Sequence, residues 1–171
     1  MLNRKTEKLL MHCITENKEN VYRLAYSYVR NKDDALDIVQ DSIFKAMTHI
    51  DRLKNPDAMK SWFYRIVVNT SLDFLRRNKK VDTMDHEMIE IYSPGTEDVY
   101  RDMDLTRNLE DLPLKYRSVI ILRYFEDLKI DEVAEVLNEN INTIKTRLYQ
   151  ALQLLRVKMN DEPSKEITQY E

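Results

Sequence analysis

Between Ile141 and Lys158 the chain carries Asn142, Thr143, Lys145, Thr146, Arg147, Tyr149 and Gln150, and no carboxylate. Steps of 100° per residue put Ile141, Ile144, Leu148, Ala151, Leu152 and Leu155 on one helical face, leaving the amides, hydroxyls and cations on the other. Such a face suits DNA, because cations pair with phosphates and amides read the donor and acceptor pattern of base edges. The plainer alternative is a solvated polar face, common on cationic amphipathic helices.

Two further groups of side chains have chemistry to offer. Along 60–77, Phe63, Val67, Thr70 and Phe74 face one way, while Trp62, Arg65, Asn69, Asp73 and Arg76 fall together on the other. A ring among amides and guanidinium groups can hold unstacked bases: rings stack, guanidinium pairs with phosphate, amides read edges. Trp62 has two readings, strand contact or completion of a small core. Further upstream, Asp34, Asp37, Gln40 and Asp41 oppose an apolar face of Ala35, Ile38, Val39, Ser42, Phe44, Ala46 and Met47. Metal binding or acid-base work would need a His on the same turn or a second converging cluster, and neither is visible. A partner surface or a solvated acidic face is left.

Enzymatic and metal chemistry find little support elsewhere. There is no Gly-rich phosphate loop or nucleophile-base pair, and His12, His49 and His86 are scattered. Cys13 is the single cysteine, which precludes an internal disulfide and suits a reducing cytoplasm. No cofactor is implied. No apolar run reaches the roughly 18 to 20 residues of a membrane span, and the N-terminus lacks a signal-peptide core, so a soluble cytoplasmic protein is expected.

These side chains must be positioned by helices. One Gly and four Pro among 171 residues favour an all-α fold. Leu2 to Val29 repeats Leu9, Leu10, Cys13, Ile14, Val21, Leu24, Ala25 and Tyr28 at helical spacing, as a core face would. Asn31-Lys32-Asp33-Asp34 can cap the next helix, to about Ile50. Arg52 to Asp57, containing Lys54 and Asn55, reads as a loop. Ile130 to Leu137, then Asn138-Glu139-Asn140, then Ile141 to Leu155 reads as helix, turn, helix.

Charge divides the chain. Residues 54–80 hold seven Lys or Arg against two acids, 81–104 hold eight acids against one Arg, and 141–158 hold four cations and no acid. The net charge of −3 opposes indiscriminate DNA binding, so any basic surface must be local. Two small helical domains, 1–80 and 105–159, joined by an acidic linker over 81–104 are expected, with a disordered tail over 160–171.

The string Leu112-Pro113, Arg117, Ile121-Leu122, Glu126, Glu132-Val133-Ala134, Leu137, Thr143 to Leu148 and Ala151 strongly resembles region 4 of bacterial sigma factors of the extracytoplasmic-function class. That resemblance implies a helix-turn-helix that enters the major groove of the promoter −35 element. Asp33 to Asp41 is similar to region 2.2, which docks on the clamp helices of the large subunit of core RNA polymerase; Asp37, Gln40 and Asp41 occupy the contact positions. Lys60 to Arg77 resembles regions 2.3 and 2.4, which open and read the −10 element. By that likeness Lys54 and Asn55 help hold a flipped base, and Arg65, Asn69, Arg76 and Arg77 line the strand path.

The resemblance implies an alternative sigma factor that binds core polymerase and promoter DNA and is restrained by an anti-sigma factor, often membrane-bound. Four positions depart from the family pattern, among them Asn142, which stands where Gly is frequent. Asn138 stands where Gly is frequent in the turn, and Lys129 stands at the usual Ser or Thr cap, which leaves either Asp127 as a substitute cap or a frayed helix start. Gln150 replaces a frequent Arg, which exchanges a guanine preference for adenine. The competing readings are a stand-alone repressor or activator, which would occupy a palindromic operator unaided, and a helical adaptor without DNA affinity.

Overall fold

Regular structure in the described residues of this computed structural model, 3–82 and 103–161, is entirely helical. The N-terminal helix expected across Leu2 to Val29 is two helices, α1 (Arg4–Glu16) and α2 (Lys18–Val29). The break is chemical. Asn17 turns its side-chain Nδ2 back onto the Cys13 carbonyl at 2.8 Å, offering the backbone an alternative to the helical ladder. With the helix divided, only Leu10 and Ile14 of α1 are buried and Leu9 faces outward, against the core position expected for it.

Asn31 caps α3 (Lys32–Thr48), its side-chain oxygen accepting from the Asp34 N–H at 2.9 Å. Two 3-10 turns, Ile50–Arg52 and Pro56–Ala58, lead into α4 (Met59–Asp82). Helices α2, α3 and α4 pack on one another around Leu24, Ala25, Ile38, Phe63, Val67 and Val68. Burying a Leu, Ile or Phe of this kind contributes about 1.5–3 kcal/mol each. Ser42 and Ser71 enter the core because each hydroxyl bonds a carbonyl one turn back, Ile38 O at 2.6 Å and Val67 O at 2.8 Å.

On α3 the buried stripe is Ala35, Ile38, Val39, Ser42 and Ala46. Phe44 is 69% exposed and Met47 53% exposed, so both leave the core face assigned to them from sequence. Phe44 lies two residues, about 200°, beyond Ser42, which turns it away from that stripe.

The C-terminal module contains α5 (Met103–Glu110), α6 (Leu114–Ile120), a five-residue π turn (Ile121–Phe125), α7 (Ile130–Leu137) and α8 (Ile141–Asp161). Ile144 and Ala151 of α8 are fully buried, with Leu148 and Leu155 packed beside them. Ile141 and Leu152, expected inside, are 44% and 39% exposed because they flank that narrow stripe. Of the acidic linker, Val81 and Asp82 close α4 while Met103 and Asp104 open α5; residues 83–102 lie outside the described residues. Asn160 and Asp161 extend α8, and the rest of the expected tail, 162–171, also lies outside them.

The two modules are packed together. Helix α4 meets α7, and α2 meets α6 and the π turn, so one buried apolar cluster runs from Leu10 to Ile144.

Candidate nucleic-acid and polymerase interfaces

The turn between α7 and α8 depends on Asn138, which adopts φ 53° and ψ 49°. Its N–H donates to Glu135 O at 3.2 Å, and the Glu139 N–H donates to Ala134 O at 2.9 Å, closing the end of α7. Asparagine tolerates this left-handed region, as expected from sequence, and a β-branched residue does not. Asn138→Val is therefore expected to cost about 1–2 kcal/mol, read as a lowered midpoint in thermal melts. Asn140 starts α8 by accepting from the Asn142 N–H at 2.8 Å. At the other end of α7, Lys129 is the N-cap and makes no side-chain cap bond. Asp127 does not substitute for it, since its own backbone sits at φ 55° before the helix begins.

Asn142, Lys145, Thr146, Tyr149 and Gln150 are exposed on α8, and Thr143 and Arg147 are half-buried. Three of these side chains are already engaged, the Thr146 hydroxyl donating to the Asn142 carbonyl at 3.0 Å. Arg147 pairs with Glu139 at 3.0 Å, and Gln150 accepts from the Tyr116 hydroxyl at 3.1 Å.

Arg65, Asn69, Arg76 and Arg77 are exposed on α4, with Arg76 paired to Asp73 at 3.2 Å. Lys54 and Asn55 are exposed in the loop before it, where Asn55 caps the second 3-10 turn by accepting from the Asp57 N–H. Trp62 is half-buried against the core. Arg65 shares a cavity with Asp131, Glu135 and Glu139 of the C-terminal module. The same Glu139 holds Arg147, so the cavity that Arg65 lines also reaches the carboxylate paired with α8.

On α3, Asp37 and Gln40 are exposed, while Asp34 and Asp41 are half-buried. Partial burial, followed by the charges of Asp37 and Asp33, raises the Asp34 carboxyl above its ordinary value. Asp41 pairs with Lys45 at 3.1 Å, and Lys45 also donates to the Thr70 hydroxyl of α4 at 3.2 Å. Leu36 and Phe44 stand in the open beside these acids, which makes the face both apolar and acidic.

No group of three or more His, Cys, Asp or Glu suited to a metal ion occurs among the described residues. Burial pushes the Cys13 thiol up, away from the reactive thiolate. Among those residues no helix is long and apolar enough to cross a membrane.

Residues 13–81 match the family model described as Sigma-70 region 2, and residues 102–155 match Sigma-70, region 4. RNA polymerase sigma factor SigV of Bacillus subtilis (strain 168) is 55% identical over 92% of this chain and 95% of its own length. The ECF RNA polymerase sigma factor SigW of the same organism is 30% identical, over 84% of this chain and 85% of its own length. The chain belongs to the extracytoplasmic-function class of the sigma-70 family. It is thus an alternative sigma factor that directs transcription initiation, rather than a stand-alone repressor. Its fold is also that of the sigma factor RpoE of Bartonella quintana, solved in complex with the anti-sigma factor NepR. That likeness has a TM-score of 0.75 at 23% identity, over 94% of this chain and 100% of the other.

Three side chains of the sigma factor were given no role from sequence. Glu126 is 1% exposed, with Tyr64 Oη 2.7 Å from its Oε2 and Lys60 Nζ 2.8 Å from its carbonyl. Arg117 is 5% exposed; it donates to Glu110 O and Leu112 O at 3.0 and 3.1 Å and to Ser27 O of α2 at 2.5 Å. Arg30, exposed at the end of α2, donates to the same Glu110 carbonyl. The available signal was a carboxylate and a guanidinium group embedded in an apolar stretch, 117–126. Nothing local in that stretch named their partners on α2 and α4.

Proposed function

We propose that the sigma factor divides its work among three surfaces. The acidic and apolar face of α3, through Asp34, Asp37, Gln40 and Asp41, docks on the clamp helices of core RNA polymerase. The outer face of α8, through Asn142, Thr143, Lys145, Thr146, Arg147, Tyr149 and Gln150, reads the duplex −35 element. Helix α4 and its preceding loop, through Lys54, Asn55, Trp62, Arg65, Asn69, Arg76 and Arg77, hold the single-stranded −10 element. Polymerase supplies the chemistry, and no catalytic residue is assigned to this chain, which works in the cytoplasm.

The observation that carries the reading is the exposed amide, hydroxyl and cation face of α8, presented directly after a turn held by a left-handed Asn138. Two DNA sites on one chain gain affinity when polymerase fixes their separation, through effective concentration. An anti-sigma factor, either soluble or membrane-bound, is the restraining partner this reading implies; RpoE of Bartonella quintana was solved bound to one.

Transcription with purified core polymerase on randomised promoters tests the reading. Gln150→Arg is expected to move one −35 position from adenine toward guanine, by about 5- to 100-fold, with polymerase affinity unchanged. Selection of the same promoters by both proteins would remove Gln150 from base reading.

A further inference from the structure

The seam between the modules contains a carboxyl group in an unusual setting. Glu126 N–H donates to Ile121 O at 3.0 Å, the wide hydrogen bond of the π turn, and this extra residue turns the Glu126 side chain inward. There it meets Tyr64 Oη, which also lies 3.4 Å from Asn17 Oδ1. The Asn17 amide is oriented by its Nδ2 bond to Cys13 O, so its oxygen is the atom that faces the phenol. Tyr64 Oη therefore stands between two acceptors with one proton to give. With a proton on Glu126 each contact has a donor of its own: Glu126 donates to Tyr64, which then donates to Asn17.

We propose that Glu126, Tyr64 and Asn17 form a proton-linked latch that holds the C-terminal module of the free sigma factor against the strand-holding helix α4. The closed chain keeps a proton on Glu126, and separation of the modules exposes the carboxyl to water and releases it. On the N-terminal module the groups near Glu126 are Cys13 of α1 beyond the phenol, Arg23 of α2, and Lys60 and Tyr64 of α4. Arg30 of α2, Glu110 of α5 and Arg117 of α6 line the cavity beside Glu126 with Arg23 and Tyr26. Burial raises the Glu126 carboxyl above its ordinary value and outweighs the Tyr64 hydrogen bond and the Arg23 and Lys60 charges, which lower it.

The sign follows from the linkage. A group that holds its proton more tightly when closed stabilises closure fully at low pH, and that contribution fades as pH rises from the ordinary carboxyl value through the raised one. One proton limits the slope to tenfold in the closing constant per pH unit.

Closure can be read by single-molecule energy transfer on the full chain, with dyes on Glu19→Cys and Gln153→Cys in a Cys13→Ala background. As pH rises above the ordinary carboxyl range the closed fraction should fall. Glu126→Gln carries an amide donor where the protonated acid stood, so it should stay closed with that slope removed. Tyr64→Phe keeps the ring and should lower the closing constant about tenfold at every pH. An unchanged slope in Glu126→Gln, no slope in the parent, or undiminished closure in Tyr64→Phe would overturn the latch.

That the latch also covers a DNA surface rests on the roles proposed above, and binding of a labelled −10 single strand separates the two ideas. Tighter strand binding at high pH, lost in Glu126→Gln, supports both. A pH-dependent closure without any change in strand binding leaves the latch standing and removes α4 from strand capture.

Discussion

Asp37→Arg is expected to abolish initiation by the sigma factor while leaving the fold intact. Asp37 is exposed on α3, away from the buried stripe of Ala35, Ile38 and Ala46, so its replacement disturbs no packing. It sits among Asp33, Asp34 and Asp41, and in the proposed role that negative charge selects and orients a complementary polymerase surface. Reversing one charge in such an interface juxtaposes like charges, which costs several kcal/mol and slows the encounter. At about 1.4 kcal/mol per decade, a penalty of about 3 kcal/mol corresponds to over a hundredfold in affinity for core polymerase. Anisotropy titration against core enzyme and run-off transcription measure the two consequences. Unchanged circular dichroism would show that the loss is not one of folding. If Asp37→Arg bound core polymerase as the parent does, α3 would not be the docking helix.

Arg117→Met should produce the largest loss of stability. The guanidinium group is almost fully buried and satisfies three backbone carbonyls, those of Glu110 at the end of α5, Leu112 in the turn after it and Ser27 on α2. Burial, reinforced by the neighbouring Arg30 charge, lowers its pKa to about 10, which leaves it cationic at neutral pH. Hydrogen bonds from a charged donor contribute about 1.5–3 kcal/mol, and each carbonyl left buried without a donor adds a penalty. Methionine has similar length and no donor, so the loss is electrostatic rather than steric. A net cost of about 3 kcal/mol is expected, equivalent to roughly 6–12 °C in the melting midpoint of a chain of this size. Because Ser27 belongs to the other module, the variant should also close less readily. A melting midpoint within a degree or two of the parent would mean that these bonds only replace ones the carbonyls make equally well with water.

Much of the fold was legible because local rules and long-range packing agree there. The bounds of α7, Ile130 to Leu137, are those the short amphipathic run gives, and Asn138 takes the left-handed turn that asparagine tolerates. On α8 the outward amides and cations follow from the period of Ile144, Leu148, Ala151 and Leu155. Errors arose where a helical wheel is too coarse. Phe44, Met47, Ile141 and Leu152 are apolar and lie near a buried stripe, yet each sits outside a core too narrow to include it. Hydrophobicity alone cannot separate such a residue from a core residue, since large apolar side chains at the surface are ordinary and also mark contact surfaces.

The seam was not legible at all. Tyr64 and Glu126 are separated by 62 residues, and neither the phenol nor the carboxylate has a period or motif that announces the other. The π turn that aims Glu126 inward has no residue signature in Ile121 to Phe125. Asn17 shows the same limit on a smaller scale, because one amide bonding back to Cys13 divides a helix whose apolar spacing continues across the break.

The ammonium of Lys45 touches the Asp41 carboxylate on one side and the Thr70 hydroxyl on the other, and so fastens the last turn of α3 to the midpoint of α4. A tug on Asp41 is then felt along α4 through a single side chain about four methylenes long. A partner that draws the Asp41 carboxylate to itself thereby frees the ammonium to bond the Thr70 hydroxyl of α4 alone.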